Sequence, residues 1–441
     1  MNSLDRKITP GFLLKFTLPT VIMMVFNSFY TMVDGGFVSN FVGTAALSAV
    51  NIVYPLINLV FAVAIMLATG GSAVVAKQMG EKRLFNARQS FSLITVCGVI
   101  LGVLSALIGV LLTRDIVLLL GANEAIYQYC YDYAFYISLF SPLAILQVLF
   151  QYFFVTAGKP NLGLITTIIG GVSNLVLDYM FIVPLQMGIK GAATATGIGF
   201  SIPAVFGLVY FGSGLNRSLR FVRPAYDPKI LLNACGNGSS EMVSNLSVAV
   251  TTFLFNIMMM RYLGEDGVAA ITIVLYAQFL FTAVFLGYTS GVAPLLSYNY
   301  GAANSARLKR LFTMSIIFIG VCSAIAYALS LCLARPVVAL FAKPDNPVFE
   351  LALHGMRLFA IGFLFMGANI FASGLFTALS NGRGSALLSF LRTFVFILAA
   401  VLTLPLVLGV DGVWLSIPAA EVLALAASVW YIIRLKKVYG Y

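Results

Sequence analysis

Displaced by 221 positions, the sequence lies on itself without a gap: Gly43, Gly70, Gly80, Arg114, Gly163, Pro184, Gly188 and Gly191 fall on Gly264, Gly291, Gly301, Arg335, Gly384, Pro405, Gly409 and Gly412. Roughly one position in six matches over that length, but the matches gather in glycine, proline and arginine, where backbone geometry rather than composition selects the residue. The chain is a duplicated unit, and whatever it folds into has to be built twice.

The unit is a set of membrane spans. Hydrophobic residues make up 61% of the chain and charged residues 9%, against roughly half and a quarter in soluble domains. Apolar stretches run from Phe12 to Phe37, Leu47 to Val75, Phe91 to Leu112, Tyr133 to Val155, Leu162 to Val183 and Ala192 to Phe211. The second half repeats them: Ile230 to Met260, Val268 to Leu296, Phe312 to Leu333, Leu351 to Leu379, Ser385 to Leu408 and Val413 to Ile433. Each is near or above the ~20 residues that a helix needs to cross the bilayer. The expected fold is an all-α integral membrane protein of about twelve spans in two pseudo-symmetric bundles of six: residues 1–212, a cytoplasmic linker at 213–229, and residues 230–441. Arg6 and Lys7 before the first apolar run mimic a secretory signal, but the run is long and contains Pro19, so it reads as the first span. Connections of at most ~15 to 20 residues leave little room for a domain outside the membrane.

The formal charge of +11 does not mark a nucleic-acid partner, because the basic residues occupy alternate loops. Arg6, Lys7 and Lys15 precede span 1; Lys77, Lys82, Arg83 and Arg88 flank the loop after span 2; Arg217, Arg220, Arg223 and Lys229 lie between spans 6 and 7. Arg307, Lys309 and Arg310 follow span 8, and Arg434, Lys436 and Lys437 follow span 12. By the positive-inside rule both termini are cytoplasmic. An even number of spans per half then sends both halves into the membrane in the same direction, related by an axis along the membrane normal. Cys97, Cys130, Cys235, Cys322 and Cys332 show no metal-ligand spacing and read as free thiols. There is no HExxH, GxSxG or GxxxxGK[ST], so neither a hydrolase nor an ATP-driven pump has visible machinery, and no cofactor is expected.

Acids within spans carry the functional information, since an aspartate at a helix centre costs ~2.5 to 3.5 kcal/mol even on the lenient insertion scale. On span 1, Asn27, Tyr30 and Asp34 share one helix face; on span 5, Thr167, Asn174 and Asp178 do the same. The repeat places Phe255, Val395 and Ala399 at the positions matching Asp34, Asn174 and Asp178. That asymmetry reads as polar chemistry kept in the first half alone, as an ion-coupling site is needed once. Pro19 should let span 1 kink. The GxxxG spacings Gly98 to Gly102 and Gly287 to Gly291 read as close helix packing, and the lone His354 as a structural residue.

The segment Val33-Asp34-Gly35-Gly36-Phe37-Val38, followed by Gly43 and Ala45-Ala46-Leu47-Ser48-Ala49, resembles the helix 1/2 signature of the multidrug and toxic compound extrusion (MATE) family. So do Gly71-Ser72-Ala73 and Met79-Gly80-Glu81-Lys82. The resemblance covers essentially the whole chain and looks closest to the bacterial DinF-like and MepA-like branch. It implies an ion site formed by Asp34 and Tyr30, Asn174 and Asp178, and Thr196, with sodium possible at Asp34, Asn174 and Asp178, and with Pro19 as the bending proline. The NorM-like branch implies instead a glutamate on helix 7 and an aspartate on helix 10; here Glu241 lies toward the cytoplasmic end of span 7 and Asn369 stands where the aspartate is needed.

Gln147 and Gln151 on span 4, Asn245 on span 7, Tyr276 and Gln278 on span 8, and Asn369 on span 10 are candidates for a central cavity, with Asn27, Met23, Met24 and Phe150. Glu241 either meets a cationic substrate or pairs with a loop arginine. What the resemblance implies is an antiporter in the cytoplasmic membrane of a bacterium, a monomer, exporting small amphipathic and often cationic compounds in exchange for H+ or Na+. The alternative is a flippase for a lipid-linked oligosaccharide, whose anionic substrate calls for a basic cavity; this chain offers only Arg357 and Arg392.

Overall fold

Inside hydrocarbon every backbone N–H and C=O must find its partner within the segment, so apolar runs of this length become helices. The computed structural model describes residues 3–214 and 218–441, so Arg217 lies outside the described residues. The first half consists of α1 (Pro10–Phe41), α2 (Thr44–Gly80), α3 (Leu84–Leu111), the short α4 (Thr113–Leu119), α5 (Tyr127–Leu139), α6 (Ser141–Thr156), α7 (Pro160–Ile182) and α8 (Gly188–Gly212). The second half follows the same plan. It begins with α9 (Pro228–Gly301), α10 (Ser305–Cys332) and the short α11 (Ala334–Ala339). Then α12 (Pro347–Phe359) passes through a 3-10 turn, Ala360–Gly362, into α13 (Phe363–Ala378). Next, α14 (Gly382–Phe390) passes through a π-helical stretch, Leu391–Phe396, into α15 (Ile397–Leu408), before α16 (Val410–Trp414) and α17 (Ser416–Tyr439). No strand occurs among the described residues.

A straight helix of the 74 residues in α9 would be about 110 Å long at 1.5 Å per residue, several bilayers thick. It folds back at Gly264, whose φ of 65° and ψ of −151° only glycine adopts readily. Its repeat mate Gly43, at φ 117°, makes the same turn between α1 and α2. Counting the two limbs of α9 and treating α5–α6, α12–α13 and α14–α15 as single broken spans, the chain crosses twelve times, six per half. The short α4 and α11 start at positions matched by the repeat, as do the turns at Gly188 (φ 56°) and Gly409 (φ 58°).

Span 4 departs from its sequence pattern. The apolar run is continuous, yet the helix breaks at Phe140 and bends by 55° between α5 and α6. Pro142, in the first turn of α6, brings no N–H to continue the ladder, and Gly102 of α3 packs against its backbone.

The cores show how the halves sit. On the side bearing the basic loops a single core unites both halves, from Leu4, Ile8 and Phe16 through Met79 and Phe91 to Ala234, Leu295 and Leu308. On the opposite side there are two: one around Val38, Ala46, Val117 and Ile189, the other around Met258, Ala270, Val348 and Val413. At the shared end the glycines of the repeat meet reciprocally: a Cβ on Gly80 would collide with the carbonyl of Tyr298, and one on Gly301 with that of Lys77. Lys77 and Tyr298 are themselves repeat mates. The second GxxxG pair, Gly287 and Gly291, lets α9 press on α1 at Thr17, Thr20 and Val21.

Candidate functional site: the polar centre of the first half

Small residues bring three helices of the first half together. Gly171 of α7 faces the rings of Phe26 and Tyr30, where a Cβ would stand 2.7 Å from Phe26 Cε1. A Cβ on Gly199 of α8 would stand 3.0 Å from that of Asn174. The polar faces of α1 and α7 therefore meet, with α8 closing the cluster. Asn174 Nδ2 donates to Thr196 Oγ1 at 3.3 Å, while Thr196 donates to the Ala192 carbonyl at 2.9 Å. Tyr30 lies beside Thr196 and within electrostatic range of Asp34 and Asp178, whose carboxyls neighbour each other.

Asn174 and Asp178 are 0% exposed, and no donor reaches either oxygen of Asp178, Oδ1 of Asp34 or Oδ1 of Asn174. Two adjacent carboxyls in such surroundings cannot both stay charged and uncompensated. Chemically, such an arrangement can accept a proton shared between the carboxyls or a hard cation bound by the oxygens.

Tyr133 of α5, 4% exposed, lies within electrostatic range of both carboxyls and was missed from the sequence, where it is one of several tyrosines opening span 4. Beside the cluster runs a cleft lined by Phe26, Asn27, Tyr30, Gln147, Thr167 and Phe200. Gln151 donates to Thr167 at 3.0 Å and is buried.

Other sequence candidates fall elsewhere. Met23 is 2% exposed, with its sulfur directed at Gly163, and Phe150 is fully buried among Phe211, Phe221 and Gly207; both fill helix contacts. Tyr276 stacks on Phe341 at 5.8 Å, and Gln278 is half-buried on the same limb of α9. Between the halves, Asn58 Nδ2 donates to the Asn245 carbonyl at 3.4 Å and Ser290 to the Tyr152 hydroxyl at 3.5 Å. Glu241 is half-buried near Tyr152 and Arg392 and forms no ion pair among the described residues. His354 hydrogen-bonds with Asp411 at 2.7 Å on the surface. The five cysteines are free.

The expectation that polar chemistry belongs to the first half alone is corrected by the second. Asn369 donates to the carboxylate of Glu421 at 2.7 Å, Arg392 pairs with that carboxylate at 2.8 Å, and Ser373, Thr377, Ser385 and Ser389 form a chain of hydroxyls beside them. The repeat comparison failed here because it followed only the mates of the first-half polar residues, whereas Asn369, Arg392 and Glu421 match the non-polar Val148, Gly171 and Phe200. Glu421 was detectable by the rule that found Asp34, as an acid inside an apolar run.

A sequence profile of the MatE family matches residues 19–180 and 242–402, one copy in each half. The chain is 23% identical over 427 residues to the multidrug export protein MepA of Staphylococcus saprophyticus subsp. saprophyticus, covering 96% of this chain and 93% of that protein. It is 25% identical over 411 residues to MepA of Staphylococcus haemolyticus, covering 93% and 90%. Among solved structures, the outward-facing conformation of a multidrug resistance MATE family transporter of the MOP superfamily superposes with a TM-score of 0.92 at 21% identity, covering 99% of this chain and 98% of that one. A MATE in the bent conformation superposes at 0.89 with 21% identity, covering 98% and 97%. With the family profile matching both halves and the same fold over nearly the whole length, the chain belongs to the MatE family of membrane transporters.

Proposed function

We propose that this protein is a secondary antiporter that exports small amphipathic, often cationic, organic compounds across a bacterial cytoplasmic membrane in exchange for H+ or Na+. The observation that carries the reading is the group of donorless oxygens on Asp34, Asn174 and Asp178. In the proposed cycle the Asp34–Asp178 pair takes up the ion from outside, α1 bends at Pro19, and the cavity narrows so that the compound leaves; the neutralised lobe then permits return to the inward-facing state. The united core on the basic-loop side and the divided cores opposite it support an outward-facing form with both termini cytoplasmic. In this reading residues 1–212 are the ion-coupling lobe, 213–229 the linker and 230–441 the second lobe, and the protein works as a monomer. Multidrug export by the MepA relatives supports the choice of substrate class.

The oligosaccharide-flippase reading needs free cationic groups in the cavity, and Arg392 is already held by Glu421. Counterflow in proteoliposomes, with pH and sodium gradients imposed separately, tests the proposal. Substrate accumulation driven by neither gradient would overturn it.

A further inference from the structure

The second half contains a charged group that the coupling cycle does not use. Glu421 of α17 is 3% exposed, and Arg392 approaches it from the π-helical stretch of span 11. The guanidinium grips the carboxylate through Nη2 to Oε1 at 2.8 Å and Nε to Oε1 at 2.9 Å and Oε2 at 3.1 Å. Asn369 adds 2.7 Å to Oε2 and is itself held by Ser428 at 3.1 Å. Apolar residues of similar volume often serve stability as well as a buried ion pair does, so stability alone is weak ground for this one. The π-helical turns that carry Arg392 are rare and recur at functional sites.

The π-helical stretch that carries Arg392 also packs against α9, the helix of Glu241. Glu241 makes no ion pair among the described residues but lies within range of the Arg392 charge, so two carboxylates have one cation near them. While Glu421 holds Arg392, the three side chains, with both acids ionised, sum to one negative charge, and it resides on Glu241 at the interface with the first half, beside Tyr152.

We propose that Glu421 is a specificity-determining positioning residue: by engaging Arg392 it leaves the Glu241 carboxylate uncompensated, so that the central cavity favours organic cations. This rests on the reading of Glu241 as the group that meets a cationic substrate. If Glu421 lost its charge, Arg392 would turn to Glu241 and the cavity would lose its preference.

The test is equilibrium binding of tetraphenylphosphonium, a permanent cation, and chloramphenicol, which is neutral, to the purified full-length protein in nanodiscs. Glu421→Gln should lower the cation-to-neutral affinity ratio about tenfold or more, while Arg392→Gln, which breaks the same pair from the other side, should keep or raise it. The double variant should keep the parental ratio, since Glu241 again stands alone. Equal weakening of both probes by the two single variants would make the pair merely structural and overturn the proposal. If Glu241→Gln leaves the ratio unchanged, the reading of Glu241 fails; if it lowers the ratio while Glu421→Gln does not, only the role of Glu421 fails. Should Glu421→Gln not be recovered folded, a fall in the ratio in either Arg392→Gln or the double variant would still overturn the proposal.

Discussion

Asp178 is fully buried and lacks a donor to either oxygen, so its charge state depends on what shares the site. Asparagine keeps the shape of an aspartate and removes the ionisable group. Asp34→Asn and Asp178→Asn should each abolish gradient-driven efflux in proteoliposomes while the melting temperature stays the same or rises, because an uncompensated buried charge is removed. Normal efflux from either variant would take that acid out of the mechanism. Tyr133 of α5 lies within electrostatic range of the same carboxyls. Glu241 acts on the substrate side: Glu241→Gln should weaken export of cations roughly tenfold more than that of neutral compounds, measured over a panel of substrates. An equal loss across the panel would make it structural.

Among the helices, α1 runs unbroken from Pro10 to Phe41 with Pro19 inside it, and Thr17 and Thr20 turn their hydroxyls back on the carbonyls of Leu13 and Thr17. A proline leaves one carbonyl of the preceding turn without its helical partner, so a straight and a bent form can lie close in energy. Pro19→Ala should favour the straight form. Spin labels on α1 and α9, read by double electron–electron resonance, should show a distance distribution that shifts with pH in the parent, stays fixed in Asp34→Asn, and narrows to one population in Pro19→Ala with slower transport. Parental behaviour in Pro19→Ala would make the proline a static bend. Polar contacts link the outer part of each fourth span to a later turn of its own half: Asp132 to Lys190 at 3.5 Å, and His354 to Asp411 at 2.7 Å.

For the whole molecule, the basic-loop side is sealed by backbone against backbone. Gly80 and Gly301 each admit the carbonyl of the opposing half, and Lys77 lies over the ring of Tyr300 at 5.2 Å. The exposed pair of Asp5 and Arg307 adds at most about 1 kcal/mol, so the seal rests on the apolar core shared by the halves and on the glycine contacts. Gly80→Val or Gly301→Val introduces overpacking of about 1–3 kcal/mol against this state, enough to move a two-state population roughly fivefold to a hundredfold. A single cysteine at Ala234, which is 0% exposed in the sealed form, should then react with maleimide at least severalfold faster from the cytoplasmic side. Unchanged labelling would show that the helices repack without opening.

The sequence alone determined the duplication, the twelve crossings, the matched glycines Gly43 and Gly264, and the two polar faces that hold Asp34 and Asp178. These follow from the period of a helix, the thickness of a bilayer and the φ that glycine permits, all of which act over a few neighbouring residues. Tertiary structure decided which faces meet: Tyr133 beside the carboxyls, the bend at Phe140, the seal between Gly80 and Gly301, and the grip of Arg392 on Glu421. The rotation and tilt of a span are set by packing against its neighbours, so residues 29 positions apart, as Arg392 and Glu421 are, or 187, as Asn58 and Asn245 are, become contacts with no local trace in the sequence.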